Sequence, residues 1–557
     1  MTKDIEEIDN WLSTLNCYIA KKTNGDGTEY RSVPISVCDN TIWLEFFIDS
    51  SFPFSQIQVY TKPEYRILEY PHVEASGKLC LPNVPGSGLE KFQATFNFAR
   101  SLVFRIETKD TTLFDDFKKE FNSYWGPFCD FCENPREIWY ILDSPRCFSS
   151  FENLYQGKWK RKILFSTAID SIKSAEPECR NIKRGACLIK VRSLPLPREY
   201  PKTIGQLFNY LKKEGMEHDC VDTLKKNLCY DENNIIMCSS ENVLFGVRYL
   251  PEHINRKKCR KRFQNSCEGK VIPFRVKRMD RNWIFGRDQN KDLDKLFDKT
   301  VVIIGCGAIG SFLAVNLVKA GISKLILIDD DFLDYPNISR HVLGMDYILK
   351  NKAEGLKEYL EKSFPDVRIE TAVGRFNKVY NEVYKEKINN VSLIISATAD
   401  KEAEEQLNHL QVTGTISSPI IYGWTTKNCV SGHGIAILDT QQSCLKCLLD
   451  HEFINPVLQN EESYQEPACG AEFVPYGIVE LSFVNAMLSQ LALDVLLGKI
   501  KNNIYRIWIS SKEHIETCNG NINKDWEKRY GPIGDGGRIM SVPIIQKGDC
   551  KICHRKG

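Results

Sequence analysis

The stretch V-V-I-I-G-C-G-A-I-G, residues 301–310, decides the fold of the C-terminal half of this chain. Its first four residues are apolar and β-branched, which predicts a strand buried on both faces in a parallel sheet. Three glycines follow at once, Gly305, Gly307 and Gly310, and after them come a helical pattern and a second apolar run at 325–328. The sequence therefore predicts a strand–turn–helix–strand unit whose glycine turn and helix N-terminus suit a phosphate group.

Polar residues beyond the glycine turn indicate which phosphate compound is bound. The second strand ends in Asp329, whose carboxylate suits ribose hydroxyls. The chain then continues with N-I-S-R, which supplies Asn337 and Arg340, and twelve residues later with Lys352. These side chains can balance the charge of a triphosphate, which exceeds what one helix N-terminus can offset. We therefore expect ATP rather than a dinucleotide.

This set of residues resembles the adenylation domain of E1 enzymes and of their bacterial relatives, the ThiF and MoeB families. The pattern in those families is a glycine loop, an acidic strand end, Asn-x-x-Arg, a lysine, and an aspartate after a later strand. Asp400 follows the apolar run 391–395, one place later than that aspartate, and the resemblance implies that it is a ligand of Mg²⁺ or ATP. For residues 276–557 it implies a doubly wound, Rossmann-like α/β fold. The remaining positions match at Gly305, Gly307, Gly310, Asp329, Asn337, Arg340 and Lys352.

Two C-x-x-C pairs follow in the same part of the chain, Cys444 with Cys447 and Cys550 with Cys553. Two such pairs suit tetrahedral Zn²⁺, because each gives two thiolates from one tight turn. ThiF-like adenylation domains hold a structural zinc with the same two pairs, which the resemblance extends to this chain. The alternative is four unrelated reduced thiols, and His554 is a spare ligand candidate.

A further cysteine, Cys469, lies in a loop-like stretch before a long apolar pattern. E1 enzymes carry their catalytic cysteine on a crossover segment between the zinc knuckle and the final helices, and Cys469 fits that location. Cys429 is the competing candidate, and the alternative for Cys469 is a packed loop thiol.

The first 126 residues carry a different pattern. They contain F-P-F at 52–54, a histidine at His72, and G-K-L-C-L at 77–81. These features resemble the α+β fold of ubiquitin-conjugating E2 domains, and the resemblance implies that Cys80 is the thioester cysteine. The residues after His72 are valine and glutamate, where E2 domains have proline and the asparagine linked to oxyanion stabilisation. The alternative for Cys80 is a small buried hydrophobe.

Residues 127–275 connect these two parts, and their apolar runs predict a further α+β domain that carries no recognisable motif. The run R-K-K-C-R-K-R at 256–262 is strongly basic. It is a solvated surface segment or a binding site for an acidic partner.

Composition excludes several classes of protein. The chain has 557 residues, which is room for about three or four domains, and a formal net charge of +2, which does not predict nucleic-acid binding. Its first ten residues are acidic rather than basic and apolar, and no run of about 18 apolar residues stands out. Without a secretion signal, the 21 cysteines are typical of reduced intracellular thiols. We therefore expect a cytoplasmic protein with no membrane or nucleic-acid partner.

An E2-like domain, a linker and an E1-like domain in one chain resemble the E2–E1 fusion proteins of bacterial CBASS antiphage operons. The resemblance implies that MgATP adenylates the C-terminus of a protein, a cGAS-like nucleotidyltransferase (CD-NTase). Cys469 and then Cys80 would carry the acyl group as thioesters, and a lysine amine of a target protein would receive it. It also implies a homodimer in the bacterial cytoplasm.

Two other functions stay open from the sequence. The chain is alternatively a ThiF- or MoeB-like adenylyltransferase for a sulfur carrier or small substrate, with the N-terminal part as an accessory. It is otherwise a non-catalytic scaffold that binds the nucleotidyltransferase. The complete set of ATP-binding residues favours an enzyme.

Overall fold

The computed structural model divides into two compact units, Met1–Asp280 and Arg281–Gly557. The described residues are all except 1, 16, 18, 87, 133–137, 161, 230–233, 240, 251–268, 365, 382–384, 399, 450–456, 460–463, 466–471, 474–476, 545–549 and 554–557. The basic run 256–262, Cys469 and His554 therefore lie outside the described residues.

The first unit begins with a four-stranded antiparallel meander, in the order β1-β2-β3-β4, between two helices. Strand β3 alternates between the two faces of the sheet, and its Ile42, Leu44 and Phe46 are buried. They pack in one core with Ile8 and Leu12 of the first helix and with residues of the second. The elements are α1 Thr2–Ser13, β1 Ala20–Thr23, β2 Glu29–Val37, β3 Asn40–Ile48, β4 Gln58–Lys62 and α2 Gly88–Glu107.

The rest of the first unit is a closed barrel, in which the described strands follow the order β10-β11-β5-β7-β6-β8-β9. Three short helices precede it, α3 Thr111–Phe114, α4 Asp116–Lys119 and α5 Phe121–Asp130. Its strands are β5 Ile138–Ile141, β6 Phe151–Trp159, β7 Lys162–Ser166, β8 Arg180–Lys190, β9 Asn234–Cys238, β10 Leu244–Leu250 and β11 Lys270–Arg278. Its helices are α6 Ile169–Ala175, α7 Ile204–Lys213 and α8 His218–Cys229.

Helix α5 joins the meander part to the barrel. Phe121, Trp125 and Phe128 lie in the barrel core, and the Trp125 indole Nε1–H donates to the carbonyl of Phe274 at 2.9 Å. The domain boundary expected from the sequence after residue 126 falls inside α5. The domain boundary expected after residue 275 falls inside β11. Because β11 pairs with β10 and β5, the first unit extends through Asp280.

The second unit is built on a sheet of eight described strands, in the order β14-β13-β12-β15-β16-β17-β20-β21. The five strands from β14 to β16 are parallel, and β17, β20 and β21 continue the sheet in antiparallel pairs. The strands are β12 Thr300–Ile304, β13 Lys324–Asp329, β14 Arg368–Val373, β15 Leu393–Ser396, β16 Ile420–Thr425, β17 Ser431–Ile437, β20 Ile504–Ile509 and β21 Arg538–Pro543. The strands β18 Tyr464–Gln465 and β19 Glu472–Phe473 pair antiparallel in a separate two-stranded sheet.

Helices cover both faces of this sheet. Along β12, Val301 and Ile303 belong to one hydrophobic core, and Val302 and Ile304 belong to the other, as the unbroken apolar run predicts. The helices are α9 Arg281–Gly286, α10 Leu293–Phe297, α11 Gly310–Ala320, α12 Lys352–Ser363, α13 Phe376–Val379, α14 Lys385–Ile388, α15 Lys401–Val412, α16 Leu445–Leu449, α17 Ile478–Leu496, α18 Lys512–Thr517 and α19 Lys524–Tyr530. The second unit thus has the doubly wound α/β architecture that its sequence predicts.

Helix α17 is long and apolar enough to cross a membrane by length and composition alone. Half of that apolar window is buried inside the second unit, where Leu481, Leu488 and Leu491 pack in one of the two cores. Its apolar character is therefore that of a core helix.

The strand order places a crevice at the end of β12. The chain runs from β12 to β13 on one side, and later returns to β15 on the other side of β12. Helices that leave neighbouring strands toward opposite faces open a crevice at the carboxyl edge, where ligands bind in this class of fold. The glycine turn lies at that edge.

Candidate functional site

A cavity of about 580 Å³ occupies this crevice. Its lining comes from the carboxyl ends of the four strands β12–β15 and from the starts of the elements that follow them. The residues are Ile304, Gly305, Gly307, Ile328, Asp329, Asp330, Asp331, Lys352, Gly374, Arg375, Phe376, Ala397, Thr398, Asp400, Lys401, Glu402 and Ala403. Of the residues expected to bind ATP, the crevice thus brings together Gly305, Gly307, Asp329, Lys352 and Asp400.

The three glycines of the turn are required for three different reasons. Gly305 has a φ of +86°, and a Cβ there would lie 2.8 Å from the carbonyl oxygen of Ala397. At Gly310, a Cβ would lie 1.8 Å from the carbonyl oxygen of Gly305, so this position needs glycine for the helix to pack on the turn. A Cβ at Gly307 would meet nothing within 4 Å and would project into open space beside the cavity lining. Of the three glycines, only Gly307 leaves open space where its side chain would be, and that space lies beside the cavity.

The peptide groups of Cys306, between the first two glycines, are held from both sides. Its N–H donates to the Asp329 carboxylate, and its carbonyl accepts from the ring of His341 at 2.7 Å. Burial raises the pKa of Asp329 above its ordinary value, and the two backbone N–H groups that it accepts oppose this shift. The acidic residue at the end of β13 therefore fixes the glycine turn in addition to lining the cavity.

His341 was not recognised from the sequence, although it directly follows the Asn-x-x-Arg segment. Its Nδ1 accepts from the Leu343 N–H at 3.0 Å, so Nε2 carries the proton that it donates to Cys306. Burial lowers the pKa of His341 to about 4, so the ring is neutral near pH 7. The hydrogen-bond partner of His341, the Cys306 carbonyl, lies 35 residues earlier in the chain. No local sequence pattern therefore indicates the role of this histidine.

We expect His341 to make the second unit sensitive to acid. Unfolded histidine titrates near 6.5, so between pH 6.5 and 4 the unfolded chain binds a proton that the folded ring does not. The free energy of unfolding should therefore fall as the pH falls, by about 1.4 kcal/mol per pH unit for this one proton. Urea unfolding at pH 7, 6 and 5 should show a smaller pH slope in His341→Gln than in the wild type. An unchanged slope would contradict the assignment.

Lys352 lies at the first position of α12 and is buried, with its ammonium paired to the Asp331 carboxylate. Asn351 caps the helix by accepting from the N–H groups of Ala353 and Glu354. The helix start thus directs one cation into a cavity that also contains several carboxylates.

Asn337 and Arg340 lie outside the described lining of the cavity. Both belong to a 3₁₀ helix, Tyr335–Arg340, in which the Asn337 side chain accepts from the backbone N–H of Asp334 at 3.0 Å. In this structure Asn337 therefore closes a turn. The proposed contacts of these two side chains with phosphate require them to move toward the cavity or to meet a ligand that extends beyond it.

Two cations of the cavity were missed from the sequence, Arg375 and Lys401. Arg375 follows β14 and pairs with Asp330 at 3.3 Å, and Lys401 follows Asp400 at the start of α15. Arg375 follows the carboxyl end of β14, and Lys401 follows the turn after β15. This position after a parallel strand is the one sequence signal that could have indicated either residue. Asp400 itself caps α15 by accepting from the N–H of Glu402 at 2.9 Å.

The four cysteines of the two C-x-x-C pairs meet in the structure, and their sulfur atoms all lie within 4.8 Å of one another. Cys444 Sγ lies 3.8 Å from Cys447 Sγ and 3.7 Å from Cys550 Sγ, and the sulfurs of Cys447 and Cys553 lie 3.4 Å apart. In a Zn²⁺ tetrahedron with Zn–S bonds of about 2.3 Å, the sulfurs are about 3.8 Å apart. The donor set and its spacing therefore fit Zn²⁺.

We expect one Zn²⁺ per chain in protein purified without chelator, since zinc held by four thiolates contributes directly to the free energy of folding. Cys550→Ser should abolish stoichiometric zinc and lower the melting temperature of the second unit. Cys518→Ser, at a half-buried thiol outside the cluster, is the matched control and should retain the metal. Elemental analysis that finds no zinc in the wild type would contradict the site.

Of the two candidates for the E1-type cysteine, only Cys429 lies within the described residues. Cys429 is buried between β16 and β17, its Sγ lies 3.1 Å from Thr425 Oγ1, and burial raises its thiol pKa to about 11. A thiol that is both enclosed and protonated is a poor nucleophile. Cys469 lies outside the described residues, in the chain between the paired strands β18 and β19.

In the first unit, Cys80 is exposed, and its N–H donates to the carbonyl of His72 at 2.7 Å. Partial burial and the carboxylates of Glu74 and Glu120 raise the pKa of the Cys80 thiol, which Lys78 opposes. The His72 ring contacts a carboxylate, with its Nε2 3.2 Å from Asp116 Oδ2. His72 therefore shapes the loop that carries Cys80.

Comparison with known proteins agrees with the fold of the second unit. Residues 279–524 match the ThiF family. The ATP-dependent ubiquitin transferase-like protein Cap2 of Pseudomonas aeruginosa is 24% identical over 437 residues, which are 70% of this chain and 74% of that protein. Ubiquitin-like modifier-activating enzyme 5 of Drosophila virilis is 30% identical over 166 residues, 28% of this chain and 41% of that enzyme. Crystalline MccB of E. coli aligns with a TM-score of 0.36 at 16% identity, over 63% of this chain and 84% of MccB, a likeness too low to carry an argument.

The second unit is therefore a ThiF-type adenylation domain, and the chain is an E1-like, ATP-dependent enzyme. It is related to the ATP-dependent ubiquitin transferase-like protein Cap2 across most of its length.

Proposed function

We propose that this enzyme joins the C-terminus of one protein to an amine of another, with both the activating and the conjugating cysteine in the same chain. The observation that carries the proposal is the coexistence of an ATP-type cavity in one unit and an exposed thiol, Cys80, on a helix-flanked meander in the other. A sulfur-carrier adenylyltransferase does not need an exposed thiol such as Cys80 in a separate unit.

Adenylation is the first step of the proposed reaction. A carboxylate oxygen of the donor protein attacks the α-phosphorus of ATP, and pyrophosphate leaves. Lys352, Arg375 and Lys401 are the cations of the described lining that face the charge on the phosphates. Gly307 leaves room for close approach of a phosphate to the backbone.

The charge of the cavity supports a requirement for Mg²⁺. Its lining holds five carboxylates against three cations, so a triphosphate placed there meets more negative than positive charge. Mg²⁺ on the phosphates would supply the missing positive charge, and carboxylates are the ligands it prefers. Asp400 is the proposed ligand, since only one of its two carboxylate oxygens is used in capping α15. The carboxylates are Asp329, Asp330, Asp331, Asp400 and Glu402.

Two thioesters follow in the proposed sequence. The thiolate of Cys469 attacks the acyl carbon of the adenylate and AMP leaves; the thiolate of Cys80 then attacks that thioester and frees Cys469. A lysine amine of the target finally attacks the Cys80 thioester and forms an isopeptide bond. Because the raised pKa of Cys80 keeps it largely protonated, its thiol must lose a proton as transfer occurs.

The proposed acyl donor is the C-terminus of a cGAS-like nucleotidyltransferase, and the proposed assembly is a homodimer in the bacterial cytoplasm. The relationship to Cap2 supports the class of reaction, and the donor follows from the resemblance to CBASS fusion proteins. The zinc cluster is proposed to be structural, because all four thiolates are used and no open position remains for a substrate.

ATP–pyrophosphate exchange tests the donor directly. Exchange should depend on a nucleotidyltransferase with a free C-terminal carboxylate and should stop when that carboxylate is amidated. A sulfur-carrier protein with a C-terminal Gly-Gly serves as the competing donor. Exchange driven by the sulfur carrier alone would overturn the proposed donor.

A further inference from the structure

A second large cavity lies in the first unit, between the meander part and the barrel, with a volume of about 1140 Å³. It belongs to neither the nucleotide crevice nor the Cys80 loop. Its walls are the loop at 67–70, the short helices α3 and α4, the end of α5 and the segment at 196–202. The lining residues are Ile67, Leu68, Glu69, Tyr70, Lys109, Thr111, Phe114, Asp115, Phe117, Lys118, Phe128, Phe131, Cys132, Leu196, Pro197, Arg198 and Lys202.

The floor and walls of this cavity are aromatic. Phe117 and Phe128 are buried beneath it, while Phe131 is 63% exposed at its side. A large aromatic ring left in water loses the stabilisation that burial would give, unless something covers it. The cavity is also concave, and its volume is slightly above the range of about 300–1,000 Å³ that is typical of small-molecule sites.

The rim of the cavity is positively charged. Among the described residues, none of its four cations makes an ion pair, whereas Glu69 is already paired with Arg66 at 3.9 Å. Asp115 is the remaining carboxylate of the lining. An apolar floor under unpaired cations selects a ligand with an apolar body and an acidic group. The four cations are Lys109, Lys118, Arg198 and Lys202.

We propose that this cavity binds a small organic anion with a flat apolar body, and that its occupancy acts on Cys80. Phe117 in its floor belongs to α4, as does Asp116, which contacts the His72 ring at 3.2 Å. The ring of Phe117 also packs edge-on against Tyr124 at 4.6 Å, and the Tyr124 hydroxyl accepts the His72 N–H at 3.0 Å. Since the His72 carbonyl holds the N–H of Cys80, a ligand that shifts α4 moves the loop of the conjugating cysteine.

The test uses the full chain and the fluorescent anion 8-anilinonaphthalene-1-sulfonate. We expect the probe to bind the wild type at one saturable site. Its binding should be about tenfold weaker in the Arg198→Ala, Lys202→Ala double variant. The neutral analogue that lacks the sulfonate should also bind the wild type more weakly than the probe does. Lys212→Ala, at an exposed lysine of α7 outside the lining, is the charge control.

Phe131→Ser should also weaken binding about tenfold without unfolding the chain, because that ring is mostly exposed. Phe104→Ser, at a ring on α2 that is 54% exposed and lies outside the lining, should leave it unchanged. Alkylation of Cys80 by iodoacetamide, followed by peptide mass spectrometry, should change in rate at least twofold when the probe is bound, and should not change in Phe131→Ser. Three results would overturn the proposal: probe binding that does not saturate, an equal loss of binding in Phe104→Ser, or a Cys80 alkylation rate that is the same with and without the probe.

Discussion

Lys352→Ala is expected to lower ATP–pyrophosphate exchange by at least about 100-fold, which corresponds to about 2.7 kcal/mol of lost stabilisation of phosphate charge. The fold should survive, because the partner that loses its cation, Asp331, has a side chain that is 64% exposed and remains hydrated. The backbone N–H of Lys352 still donates to the carbonyl of Asp331, which keeps the start of α12 in place.

Calorimetric binding of α,β-methylene ATP with Mg²⁺ measures the same effect without a donor protein, and circular dichroism checks the fold. Lys362→Ala, at an exposed lysine in the last turn of the same helix, should change neither activity nor binding. Arg340→Ala should behave as Lys352→Ala does. Full exchange in Lys352→Ala at ATP concentrations well below saturation would show that the crevice is not the ATP site.

Removing the two proposed thiols should abolish conjugation at two different stages. Cys469→Ala should still form the acyl-adenylate, because adenylation needs only the crevice, but should form no thioester. Cys80→Ala should trap the donor on Cys469 as a species that reducing agents release. Non-reducing gels and intact-mass spectrometry distinguish these products. Cys38→Ala, at another exposed cysteine of the meander part, is the matched control and should conjugate normally.

Mixing the two single variants shows whether transfer occurs within one chain or between chains. Recovered conjugation means that an acyl group passes from Cys469 of one chain to Cys80 of another. Normal conjugation by Cys80→Ala alone would remove the E2 assignment and favour the sulfur-carrier function.

The sequence predicted the features that depend on local backbone geometry. The strand and glycine turn at 301–310 follow from β-branched residues and from positions that cannot hold a side chain, as at Gly310. The two C-x-x-C pairs were likewise recognisable because each pair is made within one turn. Such rules act over a few residues, so they can be read without the fold.

Tertiary structure alone decided which distant residues meet and which thiols are enclosed. The two cysteine pairs are 106 residues apart along the chain, and only the folded chain brings their sulfurs together. His341 reaches Cys306, and Arg375 joins the crevice, because parallel strands bring their carboxyl ends to one edge. Cys429 is enclosed because the turn between β16 and β17 places it in the same core as Leu481 and Val484 of α17, and no local pattern encodes this burial. Contacts between residues far apart in the chain depend on tertiary packing, so local sequence patterns do not predict them.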